Sequence, residues 1–133
     1  TEIATTHGMR WQLPSTSNYW RSENIDNAMT GLHDYAMYRK YGYGRGAAQI
    51  SVNIRKGFIT RELGMEWVRE HDGIFPETYM GVPVDEILNR IKMTRDELYA
   101  TLDRFTDWNL FRRVEDNAAA MPVLFYQPCS RSG

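Results

Sequence analysis

The residues best able to do chemistry in this chain lie together, between Glu23 and Arg45. His33 and Asp34 are adjacent, so on a helix they point about 100° apart and are not expected to form a hydrogen-bonded dyad on one face. Asp26, Thr30 and His33 are linked by steps of four and three, and the spacing predicts that they share a helix surface. An acid, a hydroxyl and an imidazole on one surface could bind a sugar hydroxyl or orient a proton transfer. The plainer reading is a solvated helix face with an ordinary histidine. The segment GYGRG at 42–46 sets three glycines within five positions, which permits close backbone approach. Arg45 stands where that turn enters the next helix, and there a guanidinium and free backbone N–H groups can converge on a phosphate, pyrophosphate or carboxylate. The alternative is a helix connector with Tyr43 filling the core and Arg45 in a structural ion pair. The third glycine of a dinucleotide fingerprint is missing and no strand precedes the turn, so a Rossmann reading fails.

Other chemistries find less support. His7, His33 and His71 are far apart in sequence and no H-E-x-x-H pattern occurs, so no metal site is expected. Trp20, Tyr35, Tyr38, Tyr41 and Tyr43 could stack on sugars or bases, or serve as core and interface. Arg112 and Arg113 form only a two-residue basic pair, so no nucleic-acid footprint is visible.

Periodicity predicts the elements that position these residues. Residues 1–22 show no sustained period and read as an irregular lead-in. A first helix is expected from Asn24 to Tyr41, with Met29, Leu32, Tyr35 and Ala36 on its apolar side and Arg39 and Lys40 near a C-terminus that favours cations. Gly42 ends it. A second is expected from Ala47 to Lys56, with Ala47, Ile50 and Ile54 facing inward and Gly57 as its stop. Thr60 is placed to cap a third over 61–71, burying Leu63, Trp67 and Val68 and stopping at Asp72 and Gly73. Pro76 suggests a short helical turn at 76–80. Val84, Ile87, Leu88 and Ile91 repeat at helical spacing over 84–92. Thr94 and Glu97 form a capping box ahead of Leu98, Leu102 and Phe105, which sets a fifth helix over 95–106. Val123 to Tyr126 reads as an edge strand or a packed segment, and the last five residues as loose. The expected fold is a single all-α domain over 1–133: a small bundle of about five helices with an irregular lead-in and tail.

Composition bounds the function. The chain has 133 residues, 16 Lys and Arg against 17 Asp and Glu, and 42% hydrophobic residues. That suits one folded domain and argues against intrinsic disorder. A net charge of −1 argues against coating nucleic acid or an anionic membrane. Cys129 is the single cysteine, so no internal disulfide can form, and a reducing, cytoplasmic setting is expected. No apolar run approaches the roughly 20 residues of a membrane span, and no signal-peptide layout is seen at the N-terminus. A start at Thr1 suggests a piece of a longer protein.

ENID at 23–26, GLHDY at 31–35, YGYGR at 41–45, NIRKG at 53–57, TRELGMEWVREHDG at 60–73 and TRDELYATLDRF at 94–105 occur in order with compatible spacing. Over roughly residues 5–113 the chain resembles the C-terminal third of N-acetyl sugar amidotransferases, enzymes associated with lipopolysaccharide, O-antigen and nonulosonic-acid biosynthesis. The resemblance implies an ATP-binding PP-loop domain in cis with an S-G-G-x-D-S loop. It implies adenylation of an N-acetyl carbonyl, and displacement of AMP by ammonia to leave an acetamidino group. A glutaminase partner would supply the ammonia, and a nucleotide-linked N-acetyl sugar would be the substrate. This chain lacks S-G-G-x-D-S and paired N-terminal cysteines, so it resembles the helical C-terminal domain alone. It is not expected to be active or to hold a cofactor by itself, with ATP and Mg²⁺ implied for the intact enzyme.

Carried over by position, Glu23, Asn24, Asp26, His33, Asp34, Tyr35, Tyr43, Gly44, Arg45 and Arg55 are implied to face the ATP domain. Arg45 would neutralise phosphate, and His33 with Asp34 would contact the sugar. Ala48, Asn53 and Ala28 depart from the family pattern, which has acidic residues at the first two positions and a basic one at the third. The competing reading is a non-catalytic helical module for protein interaction or dimerisation.

Overall fold

A computed structural model of the chain describes residues 2–8, 17–112 and 123–124. In chain order these form α1 (Glu2–Thr6), α2 (Thr30–Tyr41), α3 (Arg45–Arg55), α4 (Arg61–His71), β1 (Thr78–Tyr79), β2 (Val82–Pro83), α5 (Val84–Arg90), α6 (Arg95–Phe105), β3 (Phe111–Arg112) and β4 (Val123–Leu124). The fold is mainly helical but not all-α, because β1 pairs antiparallel with β2 and β3 with β4. All five expected helices are present, and α1 adds a short sixth within the lead-in. Val123 and Leu124 do form a strand, opposite Phe111 and Arg112. Tyr126 and the last five residues lie outside the described residues.

Local chemistry explains the boundaries that differ from expectation. α2 starts six residues later than Asn24 because the lead-in hydrogen bonds to itself: Asn27 Oδ1 accepts from Met29 N–H at 2.8 Å and the Asn27 carbonyl from Thr30 N–H at 3.2 Å. Such an Asx turn competes with helix for the same donors, and Asn24 takes a left-handed φ of 57°. Over 76–80 a hairpin replaces the expected helical turn. Met80 and Gly81 both have positive φ, as the tight turn between β1 and β2 requires. Where the signals are local the boundaries hold. The Thr60 side chain accepts from Leu63 N–H, and Thr94 with Glu97 completes a reciprocal capping box.

The core is built from Tyr35, Phe75, Val84, Leu88, Leu98 and Leu102, with Leu32, Ala36, Met93 and Tyr99 packed against it. Tyr35 and Phe75 meet edge to face at 5.2 Å. α2 lies on α6, and the buried Arg39 joins them: its Nη2 donates to Asp103 Oδ1 at 2.6 Å, Nε to Thr106 Oγ1 at 3.1 Å and Nη1 to the Tyr35 hydroxyl at 3.3 Å. Arg95 opens α6 and forks to Glu77 and Asp85, tying the hairpin and α5 to that helix. α3 and α4 form a close antiparallel pair with Gly64 at the contact. A Cβ there would stand 2.7 Å from Ile50 Cγ2 and 2.8 Å from Ile54 Cδ1.

This close contact corrects the expected face of α4, since Gly64 is buried while Leu63 is exposed. Trp67 and Val68 are half-buried. Tyr43 is likewise exposed and fills no core. Met29, Ile91 and Phe105 stand at the ends of their apolar stripes and remain open to solvent. Among the described residues no helix is long and apolar enough to cross a membrane.

Candidate functional site

An open cleft of about 930 Å³ lies between α2, the turn from α5 to α6, and α6. Asn24, Asn27, Thr30, His33, Lys40, Arg45 and Thr101 are its polar lining, while Leu32, Ala36, Met37, Ile91, Met93 and Phe105 supply apolar wall. The exposed Met29 and Tyr41 extend that wall on the α2 side.

Asp34 organises part of this polar lining. It faces inward, with 2% of its side chain exposed, and Arg45 clamps it in a fork: Nε to Oδ2 at 2.7 Å and Nη2 to Oδ1 at 2.9 Å. This hydrogen-bonded pair raises the Arg45 guanidinium above its ordinary value, with burial opposing the effect and the charges of Asp34 and Glu23 adding to it. With its amide oxygen turned toward Arg45, Asn24 accepts from Nη1 and Nε at 3.2 Å. His33 is also drawn in, which corrects the expectation that neighbouring positions cannot pair. Its Nδ1 lies 3.3 Å from Asp34 Oδ1. The Cβ directions do diverge, but side-chain torsions bring the exposed ring back to the carboxylate at the helix edge.

The glycine turn does gather an anion, and the protein itself supplies it. Asp72, just beyond α4, places Oδ2 2.9 Å from Gly44 N–H and 3.1 Å from Ala47 N–H. Gly46 N–H adds to the same cradle. Glycine is required here by contact: a Cβ on Gly44 or Gly46 would come within 2.8 Å and 2.6 Å of Asp72 atoms. Backbone donors expected to be free for a phosphate are therefore engaged, and Arg45 is engaged by Asp34. Among the described residues no group of three His, Cys, Asp or Glu side chains is gathered to hold a metal ion.

The remaining candidates divide. Glu23 Oε2 accepts from Gln49 Nε2 at 2.6 Å, and the Glu23 carbonyl accepts from Asn18 Nδ2 at 2.8 Å. Gln49 Oε1 takes Tyr19 and Trp20 N–H at 2.7 and 3.1 Å, so this network pins the lead-in onto α3 beside the cleft. Asp26 is exposed and precedes α2, so it does not join Thr30 and His33 on one helix face. Tyr43 is exposed beside Tyr41, with ring centroids 6.2 Å apart. Tyr35 belongs to the core. Arg55 sits exposed at the last turn of α3, at the other end of the helix from Arg45, about 15 Å away by helical rise.

Sequence reasoning missed two features of this region. Asp72 reads as a helix stop, and nothing local says that it caps another helix. Ile91 and Phe105 read as core, although each closes its apolar stripe at a helix end, where coverage by neighbours is least assured.

Comparison with curated proteins gives no match. Residues 14–123 match the model of the family described as LPS biosynthesis protein WbpG-like, C-terminal domain. That span contains the lead-in network, the Asp72 clasp and the whole of the cleft lining. The chain therefore belongs to the WbpG-like C-terminal domain family of lipopolysaccharide biosynthesis proteins.

Proposed function

We propose that this chain is the sugar-binding C-terminal domain of an ATP-dependent N-acetyl sugar amidotransferase, one that converts an acetamido group to an acetamidino group during lipopolysaccharide biosynthesis. The observation that carries the reading is a cleft whose lining is both polar and apolar. An acetamido sugar presents hydroxyls and an amide beside a methyl group and an apolar ring face. The cleft offers Asn24, Asn27, Thr30 and His33 beside Leu32, Ala36 and Met37. On the family resemblance, activation by ATP and Mg²⁺ is assigned to a PP-loop domain in cis, and ammonia to a glutaminase partner.

The test uses the full-length enzyme with ATP, ammonia and nucleotide-linked N-acetyl sugars, and reads replacement of the acetamido oxygen by NH in a mass spectrum. Met37→Arg, which fills the cleft while its charged head reaches water, is expected to abolish turnover and leave the fold intact. Full turnover in that variant would remove the cleft from the reaction.

The apolar wall also supports a second reading, an interaction or dimerisation module. Met29, Tyr41, Ile91 and Phe105 are all exposed along it. Under that reading the chain sediments as a dimer or captures a partner, and Phe105→Asp abolishes the association.

A further inference from the structure

His33, Asp34 and Arg45 form a connected line whose middle member, Asp34, is the most buried and whose His33 end is the most open. Asp34 is 2% exposed, Arg45 26% and His33 70% by side chain. Each Asp34 oxygen receives one N–H from Arg45, so the carboxylate cannot rotate without breaking a fork of 2.7 and 2.9 Å. Oδ1 is also the atom nearest His33 Nδ1, at 3.3 Å. A carboxylate paired with a guanidinium can only accept hydrogen bonds, so the imidazole must donate from Nδ1. That choice of tautomer leaves the lone pair on Nε2, on the other side of the ring. The ring lines the cleft, as do Asn24 and Thr30.

We infer that His33 is the proton acceptor for the nitrogen nucleophile, with Asp34 and Arg45 as positioning residues. This rests on the amidotransferase reading given above. In the step, the lone pair of ammonia forms a C–N bond to the activated acetamido carbon, and the attached nitrogen then carries an extra proton. Nε2 takes that proton. The carbon–oxygen bond breaks, its electron pair leaves with the nucleoside monophosphate, and the acetamidino group remains as its amidinium cation. The imidazolium so formed is stabilised by Asp34 and returns its proton to solvent. Arg45 offsets the Asp34 charge, so the buried carboxylate is tolerated. A spacing of 3.3 Å is long for this bond and shortens when the ring gains charge.

The experiment is initial-rate kinetics of the full-length enzyme with ammonia as nitrogen donor. His33→Ala is expected to lower kcat about 100-fold or more and to regain turnover with added imidazole. Asp34→Asn is expected to lower kcat and to move the 15N signature of the His33 ring away from the Nδ1–H tautomer. If wild type forms acetamidino product and His33→Ala keeps kcat within about three-fold, the assignment is overturned while the function reading stands. If wild type forms no acetamidino product, the reading falls and the assignment falls with it. Should His33→Ala not fold, His33→Gln decides in the same way, because its amide can still donate to Asp34 but offers no base.

Discussion

Asp72 closes the last turn of α4 and, through its side chain, the first turn of α3. Asp72→Ala would leave buried N–H groups at Gly44 and Ala47 without a partner. It is expected to lower stability by about 1–3 kcal/mol, read from the urea midpoint. Its pH dependence has a definite sign. Burial pushes the Asp72 carboxyl above the ordinary aspartate value, against the lowering effect of the Gly44, Ala47 and Gly46 N–H groups. The folded state thus holds this proton more tightly than the unfolded chain does. Its contribution is full below the unfolded value and is lost as pH rises through the raised folded one. Wild-type stability relative to Asp72→Asn is therefore expected to improve as pH falls through that window, and urea titrations at stepped pH check it. Arg45, by contrast, is a case where residue type and position were legible but the partner was not. The sequence announced a cation at a helix start, while its carboxylate came from the preceding helix.

At the scale of elements, two contacts hold neighbouring helices together. The α3 and α4 pair touches at Gly64. Alanine there gains helix propensity of about 1 kcal/mol, yet its Cβ meets the stiff Cγ2 of Ile50 at 2.7 Å. Overpacking of this kind costs about 1–3 kcal/mol. Gly64→Ala is expected to be net destabilising by thermal unfolding, whereas alanine at an open helical glycine would stabilise. Arg39 is the second contact, buried at one end of an ion pair whose other end, Asp103, is 39% exposed by side chain. The two ends should respond unequally. Asp103→Ala strands a buried guanidinium and is expected to cost about 3 kcal/mol, while Arg39→Met leaves a carboxylate that reaches water and is expected to cost less. Urea unfolding of the two variants makes the comparison. Equal losses would mean that Thr106 and Tyr35, not Asp103, hold Arg39.

For the whole molecule, the cleft is where the proposed function meets the fold, and its wall includes side chains that periodicity assigns to the core. Phe105 is 60% exposed and lines the cleft. Phe105→Ser is therefore expected to change stability by no more than about 0.5 kcal/mol. In the full-length enzyme it is expected to raise KM for the acetamido sugar several-fold, measured by initial rates. A large loss of stability would mean that Phe105 packs as core, and an unchanged KM would take it out of the substrate wall.

The sequence by itself determined whatever closes over a few residues. Thr60 bonds Leu63 three positions on, and Thr94 and Glu97 cap each other over the same span. Helical stripes likewise placed α3 to α6 close to their observed limits. Such signals are local, so neighbouring side chains meet the backbone whatever the rest of the chain does. Only the tertiary structure decided which charges meet. Arg45 and Asp34 are 11 residues apart, Gly44 and Asp72 28, and Arg39 and Asp103 64. Each of these contacts depends on how two helices cross, which no local pattern encodes. An apolar stripe states that a face avoids water, but not whether a neighbour arrives to cover it. Leu98 and Leu102 were covered, Phe105 on the same stripe was not, and the end left open became the wall of the cleft.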